Sequence, residues 1–251
     1  MHAKAIALLL GLAASAGARS PTAGTVCVAH SSVQRAQLLE LYTSQGCSSC
    51  PPAERWLAGM ADGPQPIPLA FHVDYWDGPQ WRDRYADSRY SARQHAVAAR
   101  AGETLVYTPE VVLNGREQRF WYRGLQQPAA ARAAVSMLVR ARSGAPWRIS
   151  IDSRFADAAD ATRYRSYVVV AQDGIVTRIG GGENLGVTLR QDHVVRAYSG
   201  PWPSAHAEVR LAMPADLDVG QATLVVFLQN PINGDVAQAM ELPLRTCVPP
   251  G

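Results

Sequence analysis

A short apolar segment that leads directly into two cysteines constrains the fold of this chain more than any other feature. The segment QLLELYT at residues 37–43 has the length and composition of a β-strand, and Cys47 and Cys50 follow it in the stretch QGCSSCPP. Residues 48–61 are compatible with a helix, because the two prolines fall in its first turn, where backbone N–H groups have no partner within the helix. The sequence therefore predicts a CxxC motif at a junction between a strand and a helix.

The composition is that of a folded protein with a small net charge. Of 251 residues, 47% are hydrophobic and 18% are charged, which is enough for a sizeable core and for two domains. The formal charge is +3, and the arginines are interspersed with acidic residues rather than gathered in runs. This pattern argues against a surface for nucleic acid.

The first eighteen residues, MHAKAIALLLGLAASAGA, have the pattern of a signal peptide. A weakly basic start precedes an apolar run at residues 5–16, and the small-residue triplet at 16–18 favours cleavage after Ala18. An uncleaved anchor is the alternative, but the apolar run is short for a bilayer. We therefore expect a mature chain with no transmembrane segment, in the periplasm or secreted, where disulfides persist.

Two regions with different sequence patterns follow the predicted signal peptide. Up to residue 145 we expect the order β, α, β, α, β, β, α, and from 146 to 251 we expect an antiparallel β-sandwich, because short alternating runs recur between turn residues. The predicted elements after the CxxC are a strand at 67–73, a helix at 88–100, a strand in TPEVVLNGR, a returning strand at 118–123 and an alanine-rich helix at 128–142.

Three pieces of the chain resemble the thioredoxin superfamily over residues 33–143. They are the strand LLELYT, the CSSC that opens a helix, and TPEVVLNG. The resemblance implies an α/β thioredoxin-like domain at 19–145, followed by an all-β sandwich-like domain at 146–251. It also implies that the Thr108–Pro109 bond is cis, that it faces the CxxC, and that both residues hold a substrate chain.

A narrower resemblance extends over both regions. The segments ELYTSQGCSSCPPAE, FHVDYWDGPQW, TPEVVLNGR and GENLGVTLRQDHVVR are similar to an exported bacterial family with a thioredoxin-like fold, called domain of unknown function 1223. This likeness implies a fold and an export route, and no reaction.

The CxxC itself suggests redox chemistry. Free N–H groups and the positive end of the helix dipole would stabilise a thiolate at Cys47, while the less exposed Cys50 would resolve a mixed disulfide. The function predicted is an exported thiol–disulfide oxidoreductase that acts on cysteines of other exported proteins, with an unknown redox partner and no cofactor. The alternatives are a noncatalytic binding module with a permanent CxxC disulfide, and a copper–thiol metallochaperone in which His72 is a third ligand.

Other residues are candidates for supporting roles. In the superfamily, a buried acid lies six residues before the first cysteine, where this chain has Leu41. Glu40 is one position away and reaches the correct face only through a β-bulge, so it is either a proton-transfer group or an ion-paired residue. The segment HVDYWDGPQWRDRY suggests a substrate groove, with ordinary packing as the alternative. Its candidate binding residues are His72, Asp74, Trp76 and Trp81.

Cys27 and Cys247 lie near opposite ends of the mature chain and are predicted to form a structural disulfide. Free or intermolecular thiols are the alternative. The stretch GGGENLG at 180–186 lacks the spacing of a nucleotide-binding loop and is predicted to form a hairpin or bulge. We expect Glu183 and Asn184 in it to contact the other domain.

Overall fold

The structure is a computed structural model that describes residues 25–61, 66–125 and 131–248. The predicted signal peptide at 1–18 lies outside these residues. Within the described part of the chain, no helix is both long and apolar enough to cross a membrane.

The described residues form fourteen β-strands, two α-helices and several short 3-10 helices. The strands are β1 (Val26–His30), β2 (Leu38–Thr43), β3 (Ile67–His72), β4 (Glu110–Leu113), β5 (Arg116–Glu117), β6 (Val135–Arg142), β7 (Trp147–Phe155), β8 (Arg165–Gln172), β9 (Ile175–Arg178), β10 (Thr188–Gln191), β11 (Val194–Pro203), β12 (His206–Leu211), β13 (Ala222–Gln229) and β14 (Val236–Pro243). The helices are α1 (Pro51–Ala58) and α2 (Ser88–Arg100), and the 3-10 helices are Gly59–Ala61, Trp121–Arg123, Ala158–Thr162, Val219–Gln221 and Leu244–Cys247.

Three sheets organise these strands. The largest has eight strands in the order β14-β13-β8-β11-β3-β2-β4-β5, the second has four in the order β1-β6-β7-β12, and β9 and β10 form a separate hairpin. In the large sheet, β3 is parallel to both β2 and β11, and the other neighbours are antiparallel. Both larger sheets therefore combine strands from the two halves of the chain.

The prediction of an α/β thioredoxin-like domain followed by a separate β-sandwich is wrong. The fold is mostly β, and β11 from the second half joins the edge of β3 from the first half, where the N–H of Ala70 donates to the carbonyl of His193 at 2.8 Å. Since β8, β13 and β14 continue from β11, this contact makes β3 part of a larger sheet. Residue 145 does not separate the sheets.

The predicted helix at 128–142 is also wrong where the structure describes it. Residues Val135–Arg142 are strand β6, in which buried Val135, Met137, Val139 and Ala141 alternate with more exposed residues. The alanine content raises the helix propensity of the segment, but its period of two places one face in a core and pairs the strand with β1 and β7. The predicted returning strand at 118–123 is replaced by the short β5 and the 3-10 turn Trp121–Arg123.

Three buried clusters fill the spaces between layers. The four-stranded sheet packs on one face of β8, β13 and β14, and on the opposite face of the large sheet α2 contributes Tyr90 and Val97 to a second cluster. The third cluster lies beneath α1, where Leu57 packs with Leu39 and Leu41 of β2. Helix α1, and with it the CxxC, therefore lies on the opposite face of β2 from α2.

The disulfide between Cys27 and Cys247 is present, as predicted. It connects β1 to the 3-10 helix after β14 and lies within the cluster under the four-stranded sheet. In the chain-entropy model, closing a loop of 220 positions stabilises the folded state by about 5 kcal/mol.

Candidate functional site

The CxxC lies at the start of α1, as predicted, and Cys47 and Cys50 form a disulfide. Cys50 is the N-cap residue and uses its carbonyl oxygen to accept the N–H groups of Ala53 and Glu54 at 2.9 and 3.1 Å. The two prolines occupy the first positions of the helix, where an N–H group has no helical partner. The local sequence thus places the disulfide at the positive end of the helix.

Both cysteines of this disulfide are completely buried. The relative exposure of Cys47 and of Cys50 is 0%, whereas Ser48 and Ser49 between them are exposed. The expectation that Cys47 is the more exposed thiol is therefore wrong for this conformation. Side chains from the second half of the chain contact the backbone of residues 45–48.

The tip of the β9–β10 hairpin lies against the loop that carries Cys47. The carboxylate of Glu183 accepts hydrogen bonds from the backbone N–H of Ser48 at 3.0 Å and from its hydroxyl at 2.7 Å. The side-chain amide of Asn184 donates to the carbonyl oxygens of Gln45 and Cys47, both at 2.9 Å. The predicted contact of Glu183 and Asn184 with the first half of the chain is confirmed, and it is made to the CxxC itself.

The backbone of this tip packs closely against residues 46 and 80. A side chain at Gly181 would overlap the carbonyl oxygen of Gln80, and a β-carbon at Gly182 would lie 3.5 Å from the Cα of Gly46. Gly182 also has a φ of +70°, which favours glycine. Trp81, predicted to line a substrate groove, packs against these glycines.

Behind the disulfide lies a buried glutamate that sequence reasoning missed. Glu54 is 6% exposed and lies one helical turn after Cys50. Its carboxylate accepts hydrogen bonds from the Thr43 hydroxyl at 2.7 Å and from the Gln191 amide at 3.1 and 3.2 Å. Burial raises the pKa of Glu54 despite these hydrogen bonds. The available signal was its spacing of four from Cys50, which puts both side chains on one helix face.

A buried histidine and aspartate adjoin Glu54. His72 Nδ1 lies 2.6 Å from Asp83 Oδ2, and both side chains have almost no exposure. Burial disfavours both charged forms, but their mutual attraction raises the pKa of His72 and lowers that of Asp83. Asp83 Oδ2 also accepts a hydrogen bond from the backbone N–H of Gln45 at 2.8 Å, so this pair also holds the backbone before the CxxC.

His72 therefore lies in the interior and not in an open groove. Its Nε2 atom is buried without a hydrogen-bond partner, and the same is true of Oε1 of Gln45 and Nε1 of Trp81. The Gln45 amide nitrogen donates to Gln191 at 2.8 Å, which links the histidine pair to the Glu54 carboxylate through a chain of polar groups. In the part of the chain that the structure describes, no three His, Cys, Asp or Glu residues form a group able to hold a metal ion.

The Thr108–Pro109 bond is cis, as the resemblance implied. The Nε1 atom of Trp76 donates to the hydroxyl of Thr108 at 2.8 Å, and the Cβ of Trp76 lies 3.4 Å from where a β-carbon at Gly46 would be. Trp76 thus connects the 108–109 segment to the loop that precedes Cys47. Asp74 lies apart from this contact, where it binds the Ser91 hydroxyl of α2.

Glu40 has the ion-paired geometry that was the alternative to a proton-transfer role. Its carboxylate lies 2.5 Å from Nε of the buried Arg93, which is surrounded by the rings of Phe71, Tyr167, Tyr198 and Phe227. The register of β2 is regular and contains no bulge, so Glu40 faces α2 while Leu39 and Leu41 face α1. Glu54 instead lies on the CxxC side.

Two solved structures share this fold. A protein from Agrobacterium tumefaciens, whose crystal structure comes from structural genomics, is 25% identical, with 82% of this chain and 93% of that chain covered and a TM-score of 0.56. HBP35 of Porphyromonas gingivalis is 15% identical, with 87% and 78% covered and a TM-score of 0.60. A comparison with curated proteins finds no significant match.

A family model also matches most of the described chain. The match extends over residues 38–229, from the strand before the CxxC to the end of β13, and so includes the disulfide, Glu54, His72 and the hairpin tip. Because this match covers well over half of the sequence, the chain belongs to the family of proteins of unknown function DUF1223.

Proposed function

We propose that this protein is a thiol–disulfide oxidoreductase in which Cys47 exchanges disulfides with other proteins and Glu54 moves the proton of Cys50. The observation that carries the proposal is the buried Glu54 one turn after Cys50. Burying an ionisable carboxyl group is costly, and a disulfide that only staples the fold has no use for it. A group that must take and release a proton beside a resolving thiol needs this placement.

The reaction balances as a thiol–disulfide exchange. The Cys47 thiolate attacks one sulfur of a substrate disulfide, and the substrate's other sulfur leaves as a thiolate that takes a proton from solvent. Cys50 then gives its proton to the Glu54 carboxylate and attacks Cys47 Sγ, which expels the second substrate thiolate. Two electrons pass to the substrate, and the Cys47–Cys50 disulfide remains.

The same groups support the reverse reaction. A substrate thiolate attacks Cys47 Sγ, and Cys50 leaves as a thiolate that receives a proton from Glu54. Because burial raises its pKa, Glu54 holds this proton at a higher pH than an exposed glutamate. The second substrate thiol then displaces Cys47, and another exported dithiol–disulfide protein reoxidises the site.

The substrates we propose are exported proteins with cysteines. This part of the proposal rests on the predicted leader at residues 1–18 and on the formation of two disulfides, which persist in oxidising compartments. The periplasm or the exterior of the cell is the compartment proposed.

A noncatalytic binding module is a second candidate because Cys47 and Cys50 have 0% exposure. In that case the CxxC disulfide holds the loop before α1 and never opens.

Trapping of mixed disulfides separates the two candidates. In Cys50→Ser, the resolving thiol is absent, so mixed disulfides between Cys47 and substrate proteins should accumulate during expression in an exporting host. Cys47→Ser is the matched control and should trap none, because it lacks the nucleophile. Equal trapping by both variants, or none by either, would favour the binding module.

A further inference from the structure

We propose that the hairpin tip, residues 179–187, is a lid that must leave Cys47 before thiol exchange, and that Asn184 and Glu183 are its latch. The inference rests on the proposed function, since a lid over an inert disulfide would control nothing. Its basis is the set of four hydrogen bonds from Asn184 and Glu183 to residues 45–48.

The closed tip blocks the path that the reaction requires. An attacking thiolate has to reach a sulfur of the disulfide, yet the relative exposure is 0% for both Cys47 and Cys50. Asn184 itself is 5% exposed and binds the carbonyl of Cys47, so it lies directly on the residue that must be attacked. Exchange therefore needs a movement, and the tip is an element that contacts Cys47.

The tip is built to move without disturbing the main sheets. The β9–β10 hairpin is hydrogen-bonded as a sheet only to itself among the described strands. Two hydrogen bonds hold its own turn. The N–H of Ile179 donates to the carbonyl oxygen of Val187 at 2.8 Å, and the N–H of Gly186 donates to the carbonyl oxygen of Ile179 at 2.9 Å. Opening can leave these bonds intact while it breaks the four bonds to residues 45–48 and separates Gly181 from Gln80 and Trp81.

The contacts that the tip makes with residues 45–48 are the four hydrogen bonds from Glu183 and Asn184 and the approach of Gly182 to Gly46. Gly182 packs on Gly46, so the two backbone segments are in contact with no side chain between them. Polar groups that separate from each other here regain hydrogen bonds with water, which makes the net cost of opening small per bond. The latch is therefore weak enough to open without unfolding.

The two latch residues have different chemistry. Asn184 is neutral and buried, and its two bonds close the lid over the loop carbonyls. Glu183 is exposed, and its carboxylate occupies the N–H of Ser48, beside the CxxC. A negative charge at that position opposes a thiolate on Cys47, and release of Glu183 frees an N–H group near it.

The rate of reduction by dithiothreitol tests the lid. One dithiothreitol thiolate attacks Cys47 Sγ, Cys50 leaves as a thiolate and is protonated, and the second dithiothreitol thiol closes a ring and releases Cys47. Two electrons thus pass from the reagent to the protein. Alkylation followed by mass spectrometry measures the rate for each disulfide of the folded full chain.

We expect Asn184→Ala to speed reduction of the Cys47–Cys50 disulfide about tenfold, because two hydrogen bonds of the closed state are lost. Glu183→Gln should speed it about threefold, since the carboxylate is replaced by a weaker acceptor. The matched control is Leu185→Ala, a change to a 68% exposed neighbour on the same tip, and it should react at the rate of the unchanged protein. Equal rates for all four proteins would overturn the proposal.

Hydrogen exchange at the Ser48 amide gives an independent test if Asn184→Ala fails to fold. With the unchanged protein, a lid predicts exchange through a local opening that needs little denaturant. Exchange that occurs only through global unfolding would contradict the lid. Faster reduction in the latch variants without trapping by Cys50→Ser would show that the tip shields the disulfide but would reject the oxidoreductase, and with it the role of the tip as a lid. Trapping with equal reduction rates would support the oxidoreductase and reject the lid.

Discussion

The two disulfides of this protein have similar burial and very different surroundings. Cys27 and Cys247 are 8% and 0% exposed and lie in an apolar cluster between sheets. Cys47 and Cys50 are both 0% exposed, but a buried glutamate lies one helical turn after Cys50 and polar side chains of the hairpin tip bind the loop that carries Cys47. Burial alone therefore does not identify a structural disulfide, and the titratable groups around it are the better guide.

Removal of each disulfide gives the largest effect expected from this comparison. Cys27→Ser with Cys247→Ser should lower the free energy of unfolding by about 5 kcal/mol, since it opens a loop of 220 positions. Cys47→Ser with Cys50→Ser should lower it by about 2 kcal/mol, because its loop is short. Denaturant unfolding of both double variants measures the difference. If the CxxC pair is the more costly to remove, the structural and functional assignments are reversed.

Glu54→Gln should slow the resolution of a mixed disulfide by Cys50 about a hundredfold, which is the usual contribution of a positioned proton-transfer group. The step to measure is the rate at which Cys50 resolves a mixed disulfide between Cys47 and glutathione at neutral pH. Glu110→Gln is the matched control: it is also a buried glutamate, burial raises its pKa to about 7, and it binds Gln94 on the α2 side. A similar loss in both variants would mean that Glu54 has no special role.

A smaller effect is expected in how the free energy of unfolding depends on pH. The titratable groups near the CxxC should contribute to this dependence, and the Cys27–Cys247 disulfide should contribute nothing. Burial raises the pKa of Glu54, so above pH 4.5 the folded state keeps a proton that the unfolded chain releases. Stability should therefore fall as the pH rises through the folded-state pKa, and Glu54→Gln should remove the part of this decline that Glu54 causes. His72 adds a decline of the same sign, because its pKa is also raised. Thermal unfolding between pH 4 and 8 measures both slopes, and an unchanged slope in Glu54→Gln would contradict the raised pKa of Glu54.

Local features of the site were predictable from the sequence. The CxxC at a strand–helix junction and both disulfide pairings are confirmed, and so are the bounds of α2 at Ser88–Arg100. Each depends on neighbours in sequence or on cysteine chemistry alone. The contact of Asn184 with the CxxC was expected only as a contact between halves of the chain, because its partners are distant in sequence.

The architecture was not predictable in the same way. The pairing of β11 with β3 involves Val194 and Ala70, and no local pattern in either strand specifies that partner. In β6, alanine content pointed to a helix, while the buried alternation from Val135 to Ala141 decided for a strand. Glu54 was missed because its burial depends on Gln191 of β10, which lies far along the chain.

A redox titration of the oxidised protein, with each cysteine identified by mass spectrometry, tests the central claim most directly. We predict that Cys47–Cys50 is reduced reversibly in the folded protein at about −270 to −120 mV, the range of redox-active dithiols, and that Cys27–Cys247 resists reduction to below about −300 mV. The result that would contradict the account is a Cys47–Cys50 disulfide that resists reduction as strongly as Cys27–Cys247 until the protein unfolds.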